Sequence, residues 1–174
     1  MNPIRQMDEK LRSLGVKPFE GSAFQPLSGE ELGRIEECLG TNLPAAYRHF
    51  LLTYGEAGFS ENVYFRMPPG HELYEFGYFY GFASIMDGIQ SPPDTMPENM
   101  FPIGDEGLGN LYCLGFSRKQ RGEIYYWDQN IGWEADADAY IERGEPVPED
   151  LPMQPLSRIA HSFEAFIELL LVKD

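Results

Sequence analysis

The stretch LSGEELGRIEECLGTNLPAAYRHFLLTYG, residues 27–55, constrains this chain more than any other part of it. It reads as two short helices whose ends are both punctuated. Ser28 is an N-cap residue and Glu31 falls at the third helical position, the spacing of a reciprocal capping box. Leu27 and Leu32 stand where a hydrophobic staple closes over the first turn. Leu32, Ile35 and Leu39 recur at helical spacing, and Gly40 follows where a left-handed stop is wanted. Pro44 suits the first turn of a second helix, Tyr47, Phe50, Leu51 and Tyr54 share one face, and Gly55 ends it. Two such helices, joined by a handful of residues, must pack on each other.

The flanks extend the pattern. Residues 1–15 read as a helix capped by Asn2, started by Pro3 and stopped by Gly15, with Ile4, Met7, Leu11 and Leu14 as its apolar stripe. Residues 16–25 read as a connector. After Gly58 the period changes to that of strands: residues 62–67 form one, closed by Pro68-Pro69-Gly70, and residues 73–84 form another with a bend or bulge at Gly77 or Gly81. Pro92, Pro93 and Pro97 mark an exposed loop. Residues 101–104 and 111–115 flank a turn at 105–110, and a further strand covers 123–128. Residues 134–157 are the least regular: Asp136 or Asp138 caps one helical turn stopped at Gly144, and Pro146, Pro148, Pro152 and Pro155 forbid regular structure beyond it. Phe163, Phe166, Ile167, Leu170 and Leu171 then fall at i, i+3, i+4, i+7 and i+8 of a closing helix. Consecutive strands on short turns predict an antiparallel sheet. The fold class is therefore α+β: a single domain over 27–174, helices packed against a twisted, mostly antiparallel sheet, preceded by the helix and connector of 1–26.

A chain of 174 residues with 43% hydrophobic residues suffices for one sizeable core, and twelve Phe with ten Tyr predict that rings fill much of it. No apolar run approaches the roughly 20 residues of a membrane span, and MNPIRQMDEK lacks the apolar core of a signal peptide. Cys38 and Cys113 are isolated and read as small buried hydrophobes in a reducing, cytoplasmic compartment. Thirteen basic against 28 acidic residues leave a formal charge of −15, which disfavours nucleic acid and anionic membranes and attracts basic proteins.

The order of parts resembles the SUKH superfamily, the family of the yeast cell-wall assembly regulator and of many bacterial immunity proteins. The carriers are the capped acidic helix, the step "LG…LP" and the aromatic helix closed by Gly55. MFPIGDEGLGNLYCLGF, residues 100–116, resembles the family's central hairpin with its acidic-glycine turn. GEIYYWDQ, residues 122–129, resembles the strand after that hairpin, and SFEAFIELLL, residues 162–171, the closing helix. The resemblance implies a non-catalytic protein-binding domain, most readily an immunity protein that neutralises a cognate bacterial toxin. As the alternative it implies a regulatory or scaffold module that binds an endogenous protein or peptide.

No catalytic signature opposes that implication. His71-Glu72 lacks the second histidine of a zinc-protease helix. The glycines of 104–109 precede a strand and suit a hairpin turn better than a phosphate cradle. His49 reads as a surface or hydrogen-bonded histidine beside an aromatic stripe. An enzyme would require His71, Glu72 and Asp105 to converge in a deep pocket, and no spacing demands it. We expect no metal and no cofactor. Binding is better supported. Residues 134–150 carry seven acids against Arg143 alone, beside Tyr126, Trp127 and Trp133. Acids flanking aromatic anchors would suit a basic protein, such as a basic toxin domain. The candidate contact residues are Asp105, Glu106, Tyr126, Trp127, Trp133, Glu134, Asp136, Asp138 and Glu142.

Overall fold

The structure, a computed structural model, describes residues 2–70, 72–134 and 136–174, apart from the side chain of Glu134. Helix α1 (Pro3–Ser13) starts where Asn2 Oδ1 accepts the Ile4 amide at 2.9 Å, and it buries Met7 and Leu11. A short strand β1 (Val16–Pro18) comes next. Helix α2 (Gly29–Leu39) carries the expected capping box: Ser28 Oγ accepts the Glu31 amide and Glu31 Oε2 accepts the Ser28 amide, both at 3.1 Å. Leu27 and Leu32 are buried beneath that first turn, and Gly40 closes the helix with φ of 71°. Helix α3 (Ala45–Thr53) buries Tyr47, Phe50 and Leu51 on one face. His49 Nε2 bonds Asp8 Oδ2 at 2.8 Å and the Tyr54 hydroxyl donates to Asp8 Oδ1 at 3.2 Å, so one aspartate ties α1 to α3.

The strands then come in two groups. Strands β2 (Ala57–Phe59), β5 (Tyr78–Phe79), β6 (Met100–Asp105), β7 (Leu111–Gly115), β8 (Ile124–Trp127) and β9 (Leu156–Ala160) join β1 in a seven-stranded antiparallel sheet of order β1-β2-β5-β6-β7-β8-β9. Strands β3 (Val63–Arg66), β4 (Leu73–Phe76) and β10 (Leu171–Val172) form a small antiparallel sheet of order β10-β3-β4. The chain crosses from the small sheet to the large one at Gly77. Its amide donates to the Asp105 carbonyl at 3.1 Å, and a Cβ there would overlap that carbonyl and the Glu106 backbone. Only glycine lets the two sheets approach so closely.

Helices α4 (Phe82–Gln90), α5 (Gln129–Glu134), α6 (Ala137–Glu142) and α7 (Phe163–Leu169), with a 3-10 turn at Leu151–Met153, complete the fold. The main core lies between the strands and α1, α2, α3 and α7, and it is a lattice of rings. Phe50 meets Phe79 edge-on at 4.7 Å and Phe163 at 5.3 Å, while Phe76 meets Tyr112 at 4.8 Å. Such edge and tilted contacts add to area burial because the ring edge is positive and its face negative.

Several expectations are corrected. The strand expected over 73–84 ends at Phe79, and Phe82, Ile85, Met86 and Ile89 instead line one face of α4. The expected connector contains β1, an edge strand paired with β2. Pro155 does not end regular structure: β9 begins at the next residue, because proline tolerates the residue before a strand. The closing helix stops at Leu169; Leu170 turns extended yet stays buried, and Leu171 enters β10. Cys38 is exposed, a quarter turn off the stripe of Leu32, Ile35 and Leu39, whereas Cys113 is buried. Among the described residues no helix is long and apolar enough to cross a membrane.

Candidate functional site

Period-two alternation on β7 and β8 decides where each candidate side chain can be. Tyr112, Leu114, Ile124 and Tyr126 face the main core. Cys113, Tyr125 and Trp127 face the other way, into a second cluster with Met96 and Met100 that Leu111 and Leu156 flank. Tyr126 and Trp127, adjacent in sequence, therefore serve opposite faces of one sheet. Burial on both faces also explains why these strands read as unbroken apolar runs.

The Trp127 face carries a groove. After β8, the Asp128 amide donates to the Pro155 carbonyl at 2.8 Å, and Asp128 Oδ1 accepts the Asn130 amide at 2.9 Å. The Gln129 amide donates to Asn110 Oδ1 at 2.8 Å. These bonds fold α5 back over the end of its own strand, with Gly132 against the Trp127 indole. Thr95 Oγ1 donates to the Gly132 carbonyl at 3.0 Å, which pins the proline-bearing loop 91–99 to α5. Asp136 Oδ1 accepts the Asp138 amide at 2.9 Å and starts α6. Between that loop and α5–α6 lies an open groove of about 1640 Å³, which Leu151 and Pro152 also line. Trp127, 6% exposed, forms part of its wall, and its Nε1 has no hydrogen-bond partner among the described residues. Trp133, 90% exposed, stands at its rim.

The groove gathers four of the nine candidate residues: Trp127, Trp133, Asp136 and Asp138. Asp105, Glu106 and Tyr126 lie elsewhere and are satisfied locally. Asp105 accepts the Gly107 amide at 2.6 Å and the Tyr80 hydroxyl at 2.8 Å. Glu106 accepts from Asn110 Nδ2 at 2.5 Å and from the Tyr126 hydroxyl at 3.3 Å. Burial, reinforced by these carboxylates, pushes the Tyr80 and Tyr126 hydroxyls well above their usual pKa. The two acids thus organise the hairpin turn. Glu142 is exposed on α6 and does not line the groove. The Glu134 side chain and His71 lie outside the described residues.

Sequence reasoning missed Asp94 and Glu98, which face the groove from the 91–99 loop. The loop itself was legible from its prolines; its docking on α5 was not, because the Thr95–Gly132 bond spans 37 residues. Among the described residues no three of His, Cys, Asp and Glu converge as metal ligands. The Cys113 thiol is pushed far up by burial, the opposite of a nucleophile. What the described residues of the groove offer is shape and charge.

Comparison with known proteins agrees with the architecture. The chain is 25% identical to the SPbeta prophage-derived uncharacterized protein YokK of Bacillus subtilis strain 168, over 93% of this chain and 83% of that relative. Residues 26–169 match the model of the SMI1/KNR4 family (SUKH-1), from the residue before the staple to the end of α7. The protein belongs to the SMI1/KNR4 family.

Proposed function

We propose that this protein is a non-catalytic immunity protein that neutralises a cognate bacterial toxin by binding it. The observation that carries the reading is Trp133, a large aromatic ring 90% exposed at the rim of a groove walled by acids. An indole left in water forgoes burial worth about 1.5–3 kcal/mol, and aromatic rings of this kind are the usual anchors of protein interfaces. Ile131, Ile141, Val147 and Met153 are exposed in the same part of the chain, a concentration that suits occupation by another macromolecule. Family membership supports a protein partner, and the prophage origin in YokK's name fits a protein that travels with mobile elements. The reading places the protein in the cytoplasm, where Cys38 and Cys113 stay reduced.

Inhibition by occlusion needs only a rigid complementary surface, and the negative field would speed encounter with a basic toxin domain. The test is co-expression with toxins encoded next to this protein's gene in its native host. Growth rescue and co-purification of a one-to-one complex are expected. Absence of protection against every neighbouring toxin would defeat the proposal.

A further inference from the structure

We propose that the groove between the 91–99 loop and α5–α6 receives an arginine- or lysine-bearing segment of the protein partner. This deepens the reading above and rests on it. Four carboxylates line the groove, Asp94 and Glu98 from one wall and Asp136 and Asp138 from the other, all on exposed residues. No Lys, Arg or His lines it among the described residues. The nearest base in sequence, Arg143, is engaged elsewhere, bonded to Glu145 at 3.3 Å and stacked over Tyr140 at 4.8 Å. The groove therefore carries four acids and, among the described residues, no internal counter-charge, which a cation from outside would supply.

One observation independent of the acids points to an occupant. Trp133 presents an open ring face, the best side-chain surface for a guanidinium or ammonium group. Size selects the class of occupant. At about 1640 Å³ the groove exceeds the roughly 300–1,000 Å³ typical of small-molecule sites and suits a stretch of polypeptide. Pro92, Pro93, Pro97 and Pro152 stiffen its walls, so little ordering entropy opposes binding.

The probe is a short fluorescein-labelled Arg-Gly repeat peptide, with a Glu-Gly repeat as control, titrated by anisotropy at physiological ionic strength. The groove variant is Asp94→Asn, Glu98→Gln, Asp136→Asn and Asp138→Asn, in which asparagine keeps the capping role of residue 136. A charge-matched variant, Glu37→Gln, Glu61→Gln, Glu72→Gln and Glu168→Gln, removes four exposed acids away from the groove. The arginine peptide should bind the parent and change Trp133 emission. Its affinity should fall about fivefold or more in the groove variant and clearly less in the charge-matched one. Equal losses in both variants, a smaller loss in the groove variant, or binding no tighter than that of the acidic peptide overturns the inference. The co-expression assay separates the two levels. If the protein protects its host and the groove variant protects equally well, the groove inference falls while the immunity reading stands.

Discussion

Replacing Gly132 with alanine tests whether α5 is pressed onto the sheet as the groove requires. A Cβ at residue 132 would come within 2.8 Å of Cε2 and Cη2 of Trp127, and closer still to Cζ2. The obstacle is a rigid ring packed with Met96, Met100, Cys113 and Tyr125, so it cannot swing aside as a flexible chain end would. Gly132 is helical, so alanine also brings a propensity gain of about 1 kcal/mol. Against that stands an overpacking cost of about 1–3 kcal/mol if α5 stays in place. If α5 lifts instead, the protein forfeits part of the indole's burial, about 1.5–3 kcal/mol when complete, and the Thr95–Gly132 bond, about 1 kcal/mol. The expected net loss is therefore about 0–2 kcal/mol if α5 stays in place and up to about 3 kcal/mol if it lifts. Urea unfolding followed by tryptophan fluorescence reads it, in a Trp133→Phe background that leaves Trp127 as the sole emitter. The native emission should shift to longer wavelength and become more accessible to acrylamide. A variant at least as stable as its parent, with unchanged emission, would show that α5 does not cover Trp127, and the groove's wall would have to be redrawn.

The Tyr47 hydroxyl is buried with no partner among the described residues, so Tyr47→Phe should stabilise the protein by about 1 kcal/mol in urea unfolding. A loss of similar size would mean that the hydroxyl is bonded in solution. Alkaline pH gives a second test. Burial, and then Asp8 for one and Glu123 for the other, pushes Tyr54 and Tyr125 from 10.0 up to about 12. The fold therefore favours the neutral phenol: its contribution is complete below pH 10 and is lost as pH climbs through 12. Tyr47, Tyr80, Tyr112 and Tyr126 are displaced in the same direction by burial. Phenolate absorbance should rise together with loss of circular dichroism above pH 10. Titration of most tyrosines near pH 10 with the fold intact would contradict the buried ring lattice.

Legibility in the sequence followed the range of the interactions involved. The capping box at Ser28, the left-handed stop at Gly40 and the apolar face of α3 are settled within one or two turns, and each forms as the residues predict. The hairpin of β6 and β7 is equally local. The aromatic run 73–84 misled because one feature, alternating rings with glycines, covers three elements. Its strand signal holds through Phe79, but Gly77 moves the chain between sheets, a choice set by the Asp105 backbone. Beyond it the spacing of Phe82, Ile85, Met86 and Ile89 was helical, a signal present in the sequence and outweighed by the aromatic run. Strand β9 carried little signal because Pro155 precedes it and only Ile159 and Ala160 are buried along it.

The candidate site shows the same boundary more sharply. Acids and aromatic rings within residues 126–142 form one cluster only if neighbours in sequence are neighbours in space. A strand breaks that assumption at each step: Tyr126 turns to the main core and bonds Glu106, while Trp127 turns to the second cluster and the groove. The acids that complete the groove come from a loop that reaches α5 only because β6, β7 and β8 lie side by side. Net charge bears on the sign of the proposed partner and not on the surface proposed to meet it, since charge is a sum over the chain and a surface is a product of topology. The alternation of β8 is thus the hinge of the functional argument. It makes one tryptophan a groove wall, frees the next helix to present another to solvent, and sets four carboxylates around the space between them.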